Sequence, residues 1–426
     1  MFRSGKRWQR IIPVALVMYT IAYIDRTNIS LALPSMSADL HMGPAQAGSA
    51  AGVFFWGYLL LQIPGGYLAE RWSAKRVVSI LLVFWGVCAT ATGLVATAQE
   101  FWVMRLLLGV AEGGVFPAAI ILLAHWFPPA ERARANAYWM LCQPAALCLA
   151  SPLSGWILGH WNWRVLLVAE GAIPFAWLAV WVATIDDRPA AARWLPPEER
   201  EYLLRELAPK PKKHAKEPDR RIGEALIGLP TAILVVLYFF LNCGSYGYLF
   251  WLPSALEAVR KVPSFSLGLL FAVPYLLAGT AMVLNSRHSD AVRERYWHVA
   301  LPLLLGGVVL FGSVLSSQSA PVVSFALVCL ACAIFYSCLG PLWAIPTESL
   351  PTRSPGVAAG LVNAIGNMGG YFGPLLAGVL RSYTGNFRAA FCALSASLML
   401  AGVLAFLLKL ACQQREGMAM GTASSP

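Results

Sequence analysis

Apolar runs of membrane-crossing length recur along this chain, at about residues 11–33, 47–69, 77–97, 101–124, 135–158, 165–185, 226–252, 265–285, 297–317, 321–346, 356–381 and 387–410. Each is near the roughly 20 residues that a helix needs to cross a hydrocarbon core of about 30 Å. Twelve such runs leave one economical fold class, an all-α membrane protein with twelve transmembrane helices. Composition agrees: 58% of the 426 residues are hydrophobic, 12% are charged, and the mean hydropathy is +0.62. A soluble protein carries about twice that charged fraction, so soluble enzymes, disordered chains and disulfide scaffolds are excluded. The first run has full span length, contains Asp25-Arg26 and lacks a small-residue cleavage site, so it is expected to remain in the mature protein.

The net charge of +11 raises the question of nucleic acid, which a clustered basic face would favour. Here the basic residues lie in short runs between apolar spans, and no nucleic-acid partner is expected. Alternate connections hold 25 Lys and Arg residues against five on the opposite side (Arg164, Arg260, Lys261, Arg381 and Arg388). Basic loops are retained in the cytoplasm, so both termini are expected there. All nine cysteines fall within or beside apolar runs, where a thiol behaves as a small hydrophobe. Cys329 and Cys332 lack a nearby histidine or second cysteine pair, and no three histidines have ligand spacing, so neither a metal nor another cofactor is expected.

The longest polar segment divides the spans six and six. The expected organisation is an N-terminal six-helix bundle over residues 1–185, a cytoplasmic linker over 186–224 and a C-terminal six-helix bundle over 225–426. Pro196-Pro197 followed by Tyr202, Leu203, Leu204 and Leu207 predicts a short amphipathic helix in the linker, and a Lys/Pro run follows at 210–216. Residues 66–76 and 285–295 form a weak repeat with Glu70 and Asp290 in corresponding places. Duplicated halves around a site near the membrane midplane are a transporter arrangement.

Ionised residues inside spans cost about 2.5–3.5 kcal/mol each on insertion scales and are functional candidates by default. Asp25, Arg26, Arg105 and Glu112 are such residues. Neighbours on a helix diverge by about 100°, so Asp25 and Arg26 face different surroundings. Arg105 and Glu112 are seven residues apart and share a face of the fourth span. Burial disfavours a charged carboxyl while a nearby arginine favours it, and a group held in that balance can take up and release a proton. Asp25 and Glu112 therefore read as proton carriers. Arg26 reads as the fixed charge for an anion, because a guanidinium donates two parallel hydrogen bonds to a carboxylate. The alternative is a set of buried ion pairs that fix helix positions. Tyr58, Gln62, Gln143, Asn242, Asn363 and Asn367 taken singly read as interhelical hydrogen bonders, Trp251 and Trp343 as interfacial or packing aromatics, and Glu170 as a local structural carboxyl.

Several ordered motifs carry a family resemblance. They are Tyr23-Ile24-Asp25-Arg26-Thr27-Asn28, Phe55-Trp56-Gly57-Tyr58, Gln62-Ile63-Pro64-Gly65-Gly66, the stretch from Arg105 through Gly109 to Glu112, Phe116-Pro117, Trp126-Phe127-Pro128 and Glu131-Arg132-Ala133-Arg134. Tyr246-Gly247, Phe250-Trp251-Leu252-Pro253 and Gly366-Asn367 with Gly369-Gly370 extend them into the second half. Together they make the chain similar to the anion:cation symporter branch of the major facilitator superfamily. Residues Gly66, Glu70, Arg71, Lys75 and Arg76 resemble the superfamily signature after the second span, with Glu70 for the usual aspartate and Ser73 for a usual glycine.

The resemblance implies two six-helix bundles in a pseudo-twofold arrangement and proton-coupled symport of a small organic anion by a monomer, in a bacterial inner membrane. It associates Asp25 and Glu112 with proton coupling, Arg105 with Glu112 and gating, and Arg26 with the substrate carboxylate. Gly66, Glu70, Arg71, Lys75 and Arg76 belong to its gating motif. Tyr58, Gln143, Asn363 and Trp343 fall where sugar-acid members contact substrate. Gly340-Pro341-Leu342 lacks hydroxyl side chains suited to a polyol, which leaves room for tartrate-like or aromatic acids. An exchanger or uniporter without proton movement is the rival within transport. A receptor for the acid is the rival outside it, and the longest polar segment, under about 40 residues, is too short for a stable signalling domain.

Overall fold

A computed structural model describes residues 5–207, 228–259, 263–348 and 355–423, which form helices and connecting turns with no strand among them. The 210–216 run, Arg260, Lys261 and Arg353 lie outside the described residues.

Most expected spans are realised as two helices meeting at a break. The first is α1 (Lys6–Thr27) with α2 (Ile29–Asp39), the second α3 (Pro44–Gly52) with α4 (Phe54–Leu68), and the third α5 (Ala74–Thr92). The fourth is α6 (Ala98–Gly113) with α7 (Val115–Trp126), the fifth α8 (Pro129–Met140) with α9 (Cys142–His160), and the sixth α10 (Trp163–Gly171) with α11 (Ile173–Thr184). The linker helix is α12 (Pro197–Glu206), where the sequence predicts one. Then come α13 (Leu229–Val259), α14 (Ser264–Val292), α15 (Trp297–Ser316), α16 (Pro321–Tyr336) with α17 (Leu339–Glu348), α18 (Pro355–Gly366) with α19 (Gly369–Thr384), and α20 (Arg388–Ala423).

Among the described residues, nine helical stretches are long and apolar enough to cross a membrane. One of them, Pro44–Thr92, carries both the second and third expected spans. These are joined by a π-helical turn at Ala69–Ser73, after which Ser73 takes an extended backbone and caps α5 by accepting the Arg76 N–H at 3.0 Å. The first and eleventh expected spans are not among the nine. The first contains Asp25, Arg26 and Asn28, and the eleventh adjoins residues outside the described set.

The chain divides into two compact units, residues 1–40 with 53–215 and residues 41–52 with 216–426. Counting spans places 41–52 in the first half, yet α3 packs with the second unit. Its sequence, Pro-Ala-Gln-Ala-Gly-Ser-Ala-Ala-Gly, presents little side-chain bulk, so its backbone lies directly on α19. A Cβ at Gly52 would come within 2.7 Å of Tyr371 Cα.

Within the first unit, α4 and α6 also cross at backbone contact. A Cβ on Gly57 would overlap the Leu106 carbonyl, and one on Gly109 would overlap that of Phe54. Small residues permit this approach where lipid offers no hydrophobic drive for helix association. The crossing brings Phe54 and Tyr58 to the interior of the unit. Gly57→Val is expected to destabilise the protein by about 1–3 kcal/mol through overpacking, read as a lower thermal midpoint of the detergent-solubilised chain.

The first part of the linker is docked on this unit. Arg7, fully buried, donates at 2.7 Å to Glu199 of α12 and at 2.7 Å to Glu131 of α8. The Trp194 ring stacks on Trp126 at 5.2 Å, and its indole N–H donates to Asp186 at 2.9 Å. Removing one partner of a buried ion pair costs about 3–5 kcal/mol because the remaining charge loses its compensation. Arg7→Gln is therefore expected to lower the thermal midpoint more than Gly57→Val does. An unchanged midpoint would show that α12 is held by its aromatic contacts alone.

In the second unit, α13 packs on α19 and α20, and α15 packs on α16 and α20. Trp251 donates to the Pro374 carbonyl at 2.9 Å, and Asn242 to the Gly366 carbonyl at 3.1 Å, both across helices and both buried.

Candidate functional site

The site begins with the pause in the first span. Helix α1 stops at Thr27 and α2 starts at Ile29. Helix ends expose carbonyls that no later N–H satisfies, and cations are favoured there. Arg105, on the third turn of α6, lies against this end, with contacts of 3.4 Å to the Asp25 carbonyl and 3.5 Å to the Arg26 carbonyl. The Ser30 hydroxyl donates to the Thr27 carbonyl at 2.7 Å.

The Asp25 and Arg26 side chains diverge from this point, as their adjacency on a helix requires. The Asp25 carboxylate accepts the Trp85 indole N–H at 2.7 Å and lies in the electrostatic field of Glu112, Glu170 and Arg105. Arg26 turns to α6 and donates to Glu112 Oε2 at 3.2 Å. Its guanidinium is boxed by the rings of Tyr23, Phe54 and Tyr58, at 4.8, 5.0 and 4.7 Å from their centroids. Tyr58 is fixed in turn by a hydroxyl contact with Tyr19 at 3.3 Å. Aromatic faces attract a guanidinium most strongly when water is excluded. Exposure is only 3% for Asp25, 2% for Arg26, and 1% each for Arg105 and Glu112.

Two further features mark this cluster. Glu112 Oε1 has no hydrogen-bond partner among the described residues, so only one of its two oxygens is held. A cavity of about 10 Å³ touches Asp25, Asn28, Thr92 and Arg105, which is about the space one water occupies.

Sequence reasoning treated Glu170 as a local structural carboxyl. The structure places it in the same network: it is 2% exposed, accepts the Ser154 hydroxyl at 2.7 Å and is bonded by the Asn28 side chain. An isolated acid in an apolar span was the available signal. Trp85 gave no signal, because a tryptophan in an apolar run reads as a packing or interfacial residue.

The remaining candidates are dispersed. Gln143 lies at the start of α9, partly exposed. In the second unit, Trp343 packs edge-on to Tyr238 at 5.1 Å, and buried Asn363 accepts from Asn367 at 2.9 Å. Of the signature residues, Gly66 packs against Pro117, and Glu70 and Arg71 lie exposed on the π turn. Arg71 stands over Tyr67, and Arg76 over Trp72. The Lys75 backbone N–H donates to Asp187 at 2.9 Å, and Ser73 donates to the same carboxylate at 2.5 Å. Asp187, which sequence reasoning did not single out, thus holds the start of α5 where a helix dipole favours an anion.

Comparisons with known proteins agree with this architecture. Residues 15–371 match the Major Facilitator Superfamily. A putative tartrate transporter of Agrobacterium vitis is 32% identical over 420 residues, covering 96% of this chain and 95% of the relative. A quinolone resistance transporter of Acinetobacter baumannii is 30% identical over 412 residues, 93% of each chain. A bacterial homolog of the human lysosomal transporter Spinster, solved in an inward-facing and unoccupied conformation, has the same fold, with a TM-score of 0.79 at 17% identity over 95% of this chain and 97% of that one. An all-helical, multi-pass chain matched over most of its length in these ways is a transporter rather than an enzyme, and it belongs to the major facilitator superfamily.

Proposed function

We propose that this protein is a proton-coupled symporter that imports a small organic carboxylate, tartrate-like, aromatic or sugar-acid, by alternating access. The observation that carries the reading is the buried ion pair of Arg26 with Glu112, 3.2 Å apart. An arginine engaged by a fixed carboxylate meets a substrate carboxylate as a competitor of that group. Protonating Glu112 withdraws the competitor, so the anion binds best when the proton is aboard. Coupling of this kind requires the two protonation states to prefer different conformations. Asp25, shielded by Trp85 and beside the small cavity, serves as the second proton carrier, and Arg105 ties its helix end to α6. Tyr58 walls the Arg26 box, while Gln143, Asn363 and Trp343 are assigned to contacts with the body of the substrate. Gly66, Glu70, Arg71, Lys75 and Arg76 are assigned to gating.

The same reading gives a monomer in the inner membrane with both termini cytoplasmic, bundles over 1–185 and 225–426, and the proton as the only coupling ion. The relative described as a tartrate transporter supports a carboxylate substrate. The test is uptake into proteoliposomes with an acid-outside gradient, using aldonate, tartrate and aromatic carboxylates while internal pH is recorded. Accumulation of one acid with matching internal acidification is expected. Uphill uptake that persists after the gradient is collapsed would replace symport by exchange.

A further inference from the structure

A cavity of about 490 Å³ opens within the second unit, where the ends of α13, α15 and α19 meet the starts of α16 and α20. Its walls combine apolar side chains, Leu252, Leu256, Phe325 and Phe391, with two arginines, Arg381 and Arg388. Among the described residues no carboxylate lines it. The Arg381 guanidinium sits 4.2 Å from the Phe387 ring and 5.5 Å from that of Trp251, contacts that orient it without using its N–H donors. Among the described residues neither arginine side chain has an acidic partner or a hydrogen-bond acceptor. The cavity's serines do not serve as donors to a ligand either. Ser313, Ser317 and Ser324 give their protons to the carbonyls of Leu310, Val314 and Ser313 at 2.6, 2.8 and 2.8 Å.

The placement is notable on charge grounds. Arg381 and Arg388 belong to the five basic residues on the sparsely charged side of the sequence, where retention of positive loops disfavours them. Arg164, on that same side, is paired with Asp39, whereas these two face a cavity. Its volume lies within the roughly 300–1,000 Å³ of small-molecule pockets, which combine apolar walls with a few placed polar groups.

We infer that this cavity is a binding site, separate from the Arg26 cluster, for an amphipathic organic anion: one acidic group paired with Arg381 and an apolar body lying against Leu252, Leu256, Phe325 and Phe391. That chemistry is shared by a free aromatic or alkyl acid arriving from water and by the phosphate and upper chain of an anionic lipid. The purified full-length protein in neutral detergent is tested with both: 2-naphthoate by equilibrium dialysis, and phosphatidylglycerol by retention in native mass spectrometry. At least one probe is expected to bind the wild type, and the one that binds names the source. Loss of a charge-assisted hydrogen bond should weaken binding roughly tenfold or more in Arg381→Gln, with partial retention in Arg381→Lys. Ser317→Trp keeps both arginines but fills part of the cavity, and it should lose binding equally even if Arg381→Gln folds poorly. Arg164→Gln, which removes an arginine already paired with Asp39, should leave binding unchanged. The inference is overturned if neither probe binds the wild type, if Ser317→Trp binds as the wild type does, or if loss of binding follows Arg164 instead of Arg381.

Discussion

Replacing Glu112 with glutamine is expected to abolish accumulation driven by a pH gradient while leaving exchange of substrate across the membrane in place. The amide keeps the size of the carboxyl and can still accept from Arg26, which now lies 3.2 Å from Glu112 Oε2, but it cannot carry a proton. One proton per anion under a gradient of one pH unit is worth about 1.4 kcal/mol, or about tenfold accumulation. In Glu112→Gln the ratio should fall to about one, because Asp25, held by Trp85 rather than by Arg26, does not compete with the substrate and cannot by itself link the gradient to it. The sign in binding is equally definite. In the wild type, rising pH deprotonates Glu112 and strengthens the competitor for Arg26, so substrate affinity should fall as pH rises. In the variant it should stay level. Accumulation ratios, counterflow and a pH series of binding separate these effects, and accumulation that survives in the variant would remove Glu112 from the carrier role.

Arg26→Gln is expected to lose substrate binding outright. Truncating one side of a buried charge pair costs about 2–5 kcal/mol, so affinity should fall on the order of 10²-fold or more. Arg26→Lys keeps the charge and loses the planar fork and the ring stacking, and it should fall between the two. Because Arg26→Gln leaves Glu112 buried without its cation, the double variant Arg26→Gln/Glu112→Gln is the folding control. It should restore a well-behaved protein that still does not bind substrate. Normal binding by Arg26→Gln would move the anion site elsewhere, with Arg105 the first alternative, since it lies within 3.5 Å of the same helix end.

The fold class and the leading candidate residues were legible because both follow from the membrane as solvent. A run long enough to cross must be a helix, and a charge within it must be compensated. Asp25, Arg26, Arg105 and Glu112 stand out on that ground without any partner being known. Helical periodicity also places Arg105 and Glu112 on one face, and both are buried in the structure.

Periodicity describes one helix at a time and carries no information about which neighbour a face meets. That azimuth is set by close packing of many side chains and backbone atoms. Only the tertiary structure could therefore pair Arg26 with Glu112, give Asp25 the Trp85 indole, and bring Glu170 to Ser154 and Asn28. The same limit applies to larger pieces. Residues 41–52 read as part of the first half, and their small side chains allow them to lie on α19 in the second unit. Arg7, one basic residue among many in the tail, becomes the buried tie between α1, α8 and α12. The sequence by itself determined that this chain crosses a membrane many times and which side chains pay for being there; the contacts between helices decided what those side chains hold, because only packing across the bundle brings residues distant in the chain within hydrogen-bonding reach.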